Sequence, residues 1–160
     1  MLTLIAAHDR NDAIGSQGTL PWRAPGDLAA FQRETLGGAL IMGRRTWESL
    51  PRQPLPDRLN IVVSATDVDG ALMARSPQEA ISIARNHGYH RLYAAGGAGI
   101  YAALLPYAQR LVLTEVDVTV EKPDTFLPRI DMFFWQLISR SVVETMPHCL
   151  LREFIRKVSA

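Results

Sequence analysis

The sequence predicts an α/β fold built on a mixed central sheet. Short apolar segments with the character of buried strands alternate with helix-forming segments up to residue 105. Two further strand-like segments, 133–145 and 148–158, then follow each other with only a short turn between them. Alternating strands and helices favour parallel pairing, whereas a direct turn between strands favours antiparallel pairing. The chain therefore predicts a sheet that contains both kinds of pairing.

Glycine and proline mark the element boundaries of the first half. The predicted elements are, in order, a strand over 2–8, a loop over 9–24, a helix that begins at Pro25 and ends at Gly37-Gly38, a strand over 39–42 and a short helix after Gly43. A loop as long as 9–24 inside a compact domain is usually either functional or disordered.

The second half continues the alternation and then changes period. After an irregular segment over 51–58, the predicted elements are a strand over 60–63, a helix over 77–87, a strand over 91–95 and a helix over 100–105. Ser76 is the expected N-cap of the helix over 77–87, with Glu79 three residues on. From 110 to 121 the apolar residues alternate, which predicts a strand with one apolar face.

Length and composition are those of a single globular domain. The chain has 160 residues, of which 48% are apolar and 21% are charged. We expect one domain over 1–160 with a sizeable core. Seventeen Lys and Arg against sixteen Asp and Glu give a net charge of +1, which argues against a general nucleic-acid-binding protein.

The cysteine, histidine and hydropathy patterns indicate the cellular compartment and argue against a metal site. Cys149 is the only cysteine, so no internal disulfide or cysteine metal cluster can form, and the four histidines follow no zinc-binding pattern. The apolar run Met1–Ala7 is too short for a signal peptide, and no segment approaches the length of a transmembrane helix. We expect a cytoplasmic protein with no metal, no membrane partner and no nucleic-acid partner.

Asp27 is an acid in an otherwise apolar stretch at the start of a predicted helix. Trp22 precedes it, and Leu28 and Phe31 follow. A carboxylate that loses water either raises its pKa or needs a cationic partner, so Asp27 is a candidate for proton handling or for binding a hydrogen-bond donor. The alternative is a helix-terminal acid stabilised by the helix dipole, which would lower the pKa.

Two strand-to-helix junctions could bind phosphate. Residues 96–99 (Gly-Gly-Ala-Gly) follow a strand and open a helix, where backbone N–H groups can cradle a pyrophosphate, although a tight turn explains them as well. Residues 43–46 (Gly-Arg-Arg-Thr) add two cations and a hydroxyl at a second junction. Two solvated arginines explain that motif alone, but one long ligand with phosphates at two places would use both junctions.

Arg58 and two tryptophans complete the candidates. Arg58 stands on an irregular loop before a buried strand and could clamp a carboxylate, although a surface arginine is the simpler interpretation. Trp47 is expected in the core. Trp22 lies close to Asp27 and is expected to line a cleft.

The combination of these motifs resembles dihydrofolate reductase along nearly the whole chain. The most specific part is Gly15, Leu20, Pro21 and Trp22, followed by Asp27. The other matching segments are Ala6-Ala7, Ile41–Arg44, Thr46–Ser49, Leu55-Pro56, Arg58, Asn60–Ser64, Gly96-Gly97, Ile100-Tyr101, Leu113-Thr114 and Asp124–Pro128.

The resemblance implies a fold and an activity. The implied fold is a three-layer α/β/α arrangement with a mixed, mostly parallel eight-stranded sheet and an antiparallel C-terminal strand. The implied activity is NADPH-dependent reduction of 7,8-dihydrofolate to 5,6,7,8-tetrahydrofolate, with hydride passed to C6 and a proton to N5 of the pterin. Dihydrofolate-type molecules and antifolates are the implied partners, and a monomer is the implied state.

The resemblance also implies roles at the substrate. Asp27 would bind the pterin and promote protonation of N5, supported by Thr114, while Trp22 would hold an ordered water. Arg58 would pair with the glutamate α-carboxylate of the substrate. The rest of the substrate pocket would be Ile5, Ala6, Leu28, Phe31, Leu50 and Ala95.

The implied cofactor site uses both glycine junctions. Leu20 would belong to a mobile loop that closes over the nicotinamide, which Ala7, Ile14 and Tyr101 would line. The 2′-phosphate would lie on Arg44, Arg45 and Ser64, and the pyrophosphate on Thr46, Gly97, Ala98 and Gly99, with Gly15, Gly43, Gly96 and Ile100 beside them.

Three positions depart from the family pattern. Ala95 is smaller than the aliphatic residue that often precedes the glycine pair, which changes the packing under the pterin. Pro123 adds a residue before Asp124, the loop acid that helps to hold the active-site loop. Arg45 stands where the family has histidine, which should strengthen phosphate binding and weaken its pH dependence.

Two alternative functions stay open. A related pyrimidine or pterin reductase could share the fold, although Pro21-Trp22 together with Asp27 and Arg58 argues against it. A non-catalytic NADPH-binding paralogue is the alternative outside the enzymes.

Overall fold

A computed structural model describes residues 1–17 and 22–158. These residues form ten strands and four α-helices. The strands are β1 (Leu2–His8), β2 (Ala13–Gly15), β3 (Ala39–Gly43), β4 (Leu59–Val63), β5 (Leu72–Ala74), β6 (Leu92–Ala94), β7 (Arg110–Val116), β8 (Thr125–Phe126), β9 (Trp135–Thr145) and β10 (His148–Arg156). The helices are α1 (Pro25–Thr35), α2 (Arg44–Ser49), α3 (Pro77–Asn86) and α4 (Ala98–Leu104). None of these four helices is long and apolar enough to cross a membrane.

Eight of the strands form one sheet in the order β5-β4-β3-β6-β1-β7-β10-β9. The neighbours from β5 to β7 pair in parallel, and β10 runs antiparallel to both β7 and β9. β2 and β8 form a separate two-stranded ladder. The prediction of a mixed, mostly parallel sheet with an antiparallel C-terminal strand is confirmed.

The central strands divide the core into two layers. On β1, Leu4 belongs to one buried apolar cluster and Ile5 to the other, because successive side chains of a strand point to opposite faces. Leu104 of α4 packs in the first cluster, whereas Phe31 of α1 and Trp47 of α2 pack in the second. The result is three layers, α/β/α, and Trp47 is a core residue as predicted, with 4% of its surface exposed.

The predicted strand over 110–121 is wrong beyond Val116. The Val118 N–H donates back to the Val116 carbonyl at 2.8 Å, a tight turn that ends β7. The strand is also buried on both faces from Leu111 to Thr114, rather than on one. Helical layers cover both sides of the central sheet, so the alternation in the sequence does not mark an exposed face.

Three short strands, β2, β5 and β8, are missing from the sequence prediction. They have only two or three residues each, too few for a period to be recognised. β2 lies inside the predicted loop over 9–24, where Ala13 pairs with Phe126. This pairing joins segments more than a hundred residues apart, so local sequence carries no signal for it.

Element ends follow local capping. The Ser76 Oγ accepts a hydrogen bond from the Glu79 N–H at 3.0 Å, as the predicted N-cap of α3 requires. The last predicted helix begins at Ala98, two residues earlier than predicted. β9 begins at Trp135 rather than 133, because residues 132–134 form a 3-10 turn that Asp131 caps.

Asp9 is a fully buried carboxylate that ties two loops together. Its Oδ1 accepts hydrogen bonds from the N–H groups of Asn11 and Ala13, each at 2.8 Å, and its Oδ2 accepts one from the Val120 N–H at 2.8 Å. Burial alone would raise the pKa of Asp9, but the three backbone donors outweigh it and lower the pKa. The anion therefore joins the loop after β1 to the loop after β7.

We expect Asp9→Asn to lower the free energy of unfolding by about 1–3 kcal/mol near neutral pH, because the amide nitrogen would face a backbone donor. Asp9 has a lowered folded-state pKa, so its contribution to stability is present above the unfolded pKa and is lost as the pH falls through the folded pKa. The difference between variant and wild type should therefore shrink in acid. Urea denaturation of both proteins across this pH range measures it, with exposed Asp69→Asn as the control. A difference that does not change with pH would contradict this account.

Candidate active site

The loops that follow the parallel strands meet at one edge of the sheet. β1, β3, β4, β6 and β7 run in the same direction, so their carboxyl ends lie together. In open α/β sheets, ligands bind in the crevice outside these ends. Most of the site residues predicted from the sequence lie at this edge or on α1, α2 and α4, which begin there.

Asp27 lies in the first turn of α1 and meets the sheet through Thr114. The Thr114 Oγ1 donates a hydrogen bond to the Asp27 Oδ1 at 2.7 Å. Burial raises the pKa of Asp27, and this hydrogen bond offsets only part of the rise. The shift has the direction that desolvation predicts, and the opposite direction to that of the helix-dipole alternative.

The central sheet holds Thr114 in place. It pairs with Ala7 of β1 on one side and with Leu151 of β10 on the other, and it is 3% exposed. A β-branched side chain in the middle of a ladder has little rotamer freedom. The hydroxyl that Asp27 meets is therefore a fixed point at the boundary between α1 and the sheet.

One face of α1 extends from Asp27 to the guanidinium of Arg58. Asp27, Phe31 and Thr35 are spaced four residues apart, which places them on the same side of the helix. At the far end, the Arg58 Nη1 donates to the Thr35 Oγ1 at 3.1 Å. Burial lowers the pKa of the Arg58 guanidinium, but arginine stays protonated in proteins. The helix rise separates the two ends by about 12 Å.

Apolar side chains lie between the acid and the cation. Phe31, Leu50 and Ala95 pack against the buried cluster that contains Ile5. Leu28 is 60% exposed beside Asp27, so its side chain is available to a ligand. The structure therefore brings these predicted pocket residues together.

Ala6 does not join this group through its side chain. It belongs to the cluster on the opposite face of the sheet, under α3 and α4, because it alternates with Ile5 along β1. Any contact between Ala6 and the substrate would have to come from its backbone. Ile14 packs against the same opposite cluster, and Ala7 packs against the small cluster under the start of α1.

The predicted glycine pair turns the chain from β6 into α4. The Gly96–Gly97 peptide bond is cis, and Gly96 has a φ of +109°. A Cβ at Gly96 would lie 3.2 Å from the Tyr101 hydroxyl and 3.5 Å from the Thr46 Oγ1. The positive φ favours glycine here, and a Cβ would also press on the Tyr101 hydroxyl.

The two glycine junctions lie side by side. The Gly43 N–H donates to the Gly96 carbonyl at 2.8 Å, and a Cβ at Gly97 would lie 3.8 Å from the Thr46 Oγ1. One ligand can therefore reach both junctions, as the sequence motifs suggest when they are considered together.

The first turn of α4 is open on one side and anchored on the other. A Cβ built at Gly99 would contact no described atom within 4 Å, whereas Ile100 is buried and approaches Gly43. Tyr101 is also buried, and its hydroxyl donates to the Ile5 carbonyl at 2.8 Å. Burial raises the pKa of this hydroxyl, so it remains a neutral donor. Ala98 begins the helix at the open side.

Arg44, at the start of α2, donates hydrogen bonds to two hydroxyl groups. Its Nη1 donates to the Ser64 Oγ at 3.4 Å and to the Thr66 Oγ1, and its Nε donates to the Glu48 Oε1 at 2.8 Å. Arg45 is exposed next to it. Thr66 is absent from the sequence prediction. The feature that could have identified it is its hydroxyl, which comes two residues after Ser64 at the end of a buried strand.

The loop segment before α1 is tied to the loop that contains Asp124. The Gln17 N–H donates to the Asp124 Oδ2 at 2.8 Å, and the Asp124 N–H donates to the Gly15 carbonyl at 3.2 Å. The hydrogen bond from Gln17 is the main cause of a lowered pKa at Asp124. Asp124 therefore makes this contact with Pro123 in place. The predicted residues Leu20 and Pro21 lie outside the described residues.

Trp22 packs beneath the first turn of α1. It is half-buried against a cluster formed by Ala24, Val116 and Cys149. Trp22 therefore lies outside the two large core clusters, and its place in a cleft beside Asp27 stays a prediction.

The site combines a half-buried acid, a neutral hydroxyl beside it and three arginines at its margins. Among residues 1–17 and 22–158, no group of three or more His, Cys, Asp or Glu side chains is placed to hold a metal ion. The arrangement can hold a molecule that donates hydrogen bonds at one end and carries a carboxylate at the other. A second ligand with phosphate groups fits the adjoining glycine junctions.

Comparison with known proteins identifies the family. The family model described as dihydrofolate reductase matches residues 1–150. A dihydrofolate reductase from Neisseria meningitidis serogroup A is 43% identical over 143 residues, which cover 88% of this chain and 86% of that protein. The dihydrofolate reductase of Bacillus subtilis is 39% identical over 142 residues, with 87% and 82% covered.

A solved structure agrees with these relatives. The dihydrofolate reductase from Enterococcus faecalis complexed with NADP(H) and RAB-propyl superposes with a TM-score of 0.87 at 31% identity, over 99% of this chain and 97% of that one. The family model, the related sequences and the fold all agree. The chain belongs to the dihydrofolate reductase family.

Proposed function

We propose that this protein catalyses the NADPH-dependent reduction of 7,8-dihydrofolate to 5,6,7,8-tetrahydrofolate. The observation that carries the proposal is the pair of groups at the two ends of α1: a half-buried Asp27 hydrogen-bonded to Thr114 at one end, and Arg58 hydrogen-bonded to Thr35 at the other. A folate has a hydrogen-bond-donating pterin, an aromatic middle and a carboxylate tail. The three parts match the acid, the apolar wall and the cation in order.

The pterin end of the substrate suits Asp27. The N3–H and 2-amino groups of a pterin both donate hydrogen bonds, and a carboxylate accepts two in parallel. Thr114 donates to Oδ1 of Asp27, which orients the carboxylate without neutralising it. Leu28, Phe31 and Leu50 would enclose the rings, while Arg58 would hold the α-carboxylate of the glutamate tail.

The cofactor suits the two glycine junctions. Glycine at position 96 has a positive φ and lies close to the Thr46 hydroxyl, and the backbone of this junction could approach a pyrophosphate closely. Arg44, with the hydroxyls of Ser64 and Thr66, would hold an adenosine 2′-phosphate, which accounts for NADPH over NADH. NADPH supplies a hydride from C4 of its nicotinamide to C6 of the pterin.

Asp27 would supply the proton chemistry indirectly. Its raised pKa lets it hold a proton closer to working pH than an exposed aspartate does. It grips the donor edge of the pterin, and the charge there raises proton affinity at N5, to which water held near Trp22 would bring the proton. Leu20 and its loop would close over the site, which keeps the reacting groups from bulk water.

We infer a single-domain, cytoplasmic monomer that also binds antifolates in the pterin pocket. One sheet runs without interruption from β5 to β9, which supports a single domain. Cys149 is a buried free thiol, which suits a reducing compartment. Light scattering in solution tests the oligomeric state, and the mass expected of one chain is 17.8 kDa.

The decisive experiment follows NADPH absorbance with and without dihydrofolate. Oxidation that requires dihydrofolate supports the proposal. Oxidation that is independent of dihydrofolate, or that another pterin or a pyrimidine supports better, would refute it. Binding of NADPH without any turnover would indicate the non-catalytic paralogue.

Asp27→Asn should reduce turnover by roughly 10²–10⁴ near neutral pH, the usual range for loss of a general acid. The amide can still accept from Thr114, so the loss isolates the ionisable group. The rate of dihydrofolate-dependent NADPH oxidation measures the effect, with exposed Asp69→Asn as the matched control. An unchanged rate would remove Asp27 from the chemistry.

The same Asp27→Asn substitution should raise the free energy of unfolding near neutral pH. The folded-state pKa of Asp27 is raised, so its favourable contribution is present below the unfolded pKa and is lost as the pH rises through the folded pKa. The uncharged amide escapes that loss. Denaturant unfolding across the pH range measures the difference, which should grow with pH; a variant that is less stable than wild type near neutral pH would contradict it.

Replacing Arg44 and Arg45 together with Ala should abolish the preference for NADPH over NADH. Both side chains lie at the start of α2, where Arg44 already gathers two hydroxyls suited to a phosphate. The ratio of kcat/KM for the two cofactors measures the preference. Arg85→Ala, which removes an exposed charge from α3, should keep it. A double variant that still prefers NADPH would place the 2′-phosphate elsewhere.

A further inference from the structure

The first turn of α1 is capped from the far end of the chain. Its N-cap residue, Ala24, has no capping side chain, and Pro25 has no N–H, so Gly26 carries the first free N–H of the helix. That N–H donates to the Glu144 Oε2 at 2.8 Å, across a separation of 118 residues. The other oxygen of Glu144 accepts from the Thr145 N–H at 3.2 Å. One carboxylate therefore joins α1 to the β9–β10 hairpin.

A bulge in β9 brings the two backbones together. Cys149 of β10 pairs with Glu144 and Leu150 pairs with Val142, so Val143 has no partner between them. The Val143 carbonyl oxygen would lie only 1.8 Å from a Cβ at Gly26. No residue other than glycine allows α1 to lie this close to β9.

The residue after this contact is Asp27. Gly26 is bonded to Glu144 of β9, and Asp27 is bonded to Thr114 of β7. Two adjacent residues of α1 are therefore fixed to two different strands of the sheet. A shift or rotation of the first turn would break at least one of the two hydrogen bonds.

Cys149 fills the space beneath the same turn. It is fully buried and packs with Ala24 and Val116. Burial raises the pKa of its thiol to about 11, and the charges of Asp27 and Glu144 add to the rise. Both carboxylates therefore act electrostatically on the same small side chain.

We propose that Glu144 is a positioning residue for Asp27, capping α1 from the β9–β10 hairpin so that the Asp27 carboxylate is held where it meets the pterin. The proposal rests on the proposed function. Glu144 is not among the residues assigned to either ligand. Its effect should appear in substrate use and not in cofactor affinity, because the residues assigned to the phosphates of the cofactor belong to α2, to α4 and to the loops beside them.

The test compares Glu144→Ala, Glu144→Asp and Glu144→Gln. Ala removes the acceptor, and Asp withdraws it by one methylene, so both should raise the KM for dihydrofolate about tenfold and lower kcat several-fold. Gln keeps an oxygen at the same reach and should stay within about threefold of wild type. The Kd for NADPH, measured by fluorescence titration, should stay within about twofold in all three.

Glu34→Ala is the matched control. Glu34 also ties α1 to the sheet, through Arg110 of β7, but at the other end of the helix. Its loss should lower the thermal stability of the protein while leaving the KM for dihydrofolate within about twofold. If Glu34→Ala raises this KM as much as Glu144→Ala does, the effect is general loosening of α1 and the proposal is overturned.

The remaining outcomes also decide the matter. Glu144→Ala with unchanged kinetics, or with equal losses of dihydrofolate and NADPH affinity, would overturn the positioning role. If the Ala variant does not fold, the Asp and Gln variants decide, and equal behaviour of those two would overturn it. If the wild-type protein has no dihydrofolate-dependent activity, the proposed function is refuted. If the wild type is active and substitution of Glu144 leaves its kinetics unchanged, only this inference is refuted.

Discussion

The site depends on the partial burial of the Asp27 carboxylate beside one neutral donor. An arginine partner would lower its pKa and end its use as a proton store, whereas burial with no donor would leave an oxygen unsatisfied. The Thr114 hydroxyl at 2.7 Å lies between these extremes. It can do so only because β1 and β10 hold Thr114 on both sides.

The alternation of β1 organises the molecule around that acid. The Ile5 side chain faces the layer of α1, while the Ile5 carbonyl accepts the hydroxyl of Tyr101 from α4. One residue thus packs in the layer of α1 and also anchors α4. The two ligands would meet along this strand, with their supports on different helices.

Local signals were sufficient for the long elements and for the acid, but not for contacts that join distant segments. The helix cap at Ser76, the glycine junctions and Asp27 each depend on neighbouring residues, so the sequence predicts them. The contact of Gln17 with Asp124 and the cap from Glu144 depend on residues about a hundred positions away. Glu144 has no local signal, because a glutamate near a hairpin is ordinarily a solvated side chain.

The hydrogen bond from Gly43 to Gly96 joins the two glycine junctions through their backbones, whereas α1 faces the proposed substrate site with side chains. Substitutions are therefore tolerated more easily on α1 than at the two glycine junctions. Leu28 and Phe31 of α1 make no contact with the glycines of the two junctions. A lineage exposed to a competitive inhibitor would accumulate its adaptive substitutions along α1 and retain its ancestral coenzyme.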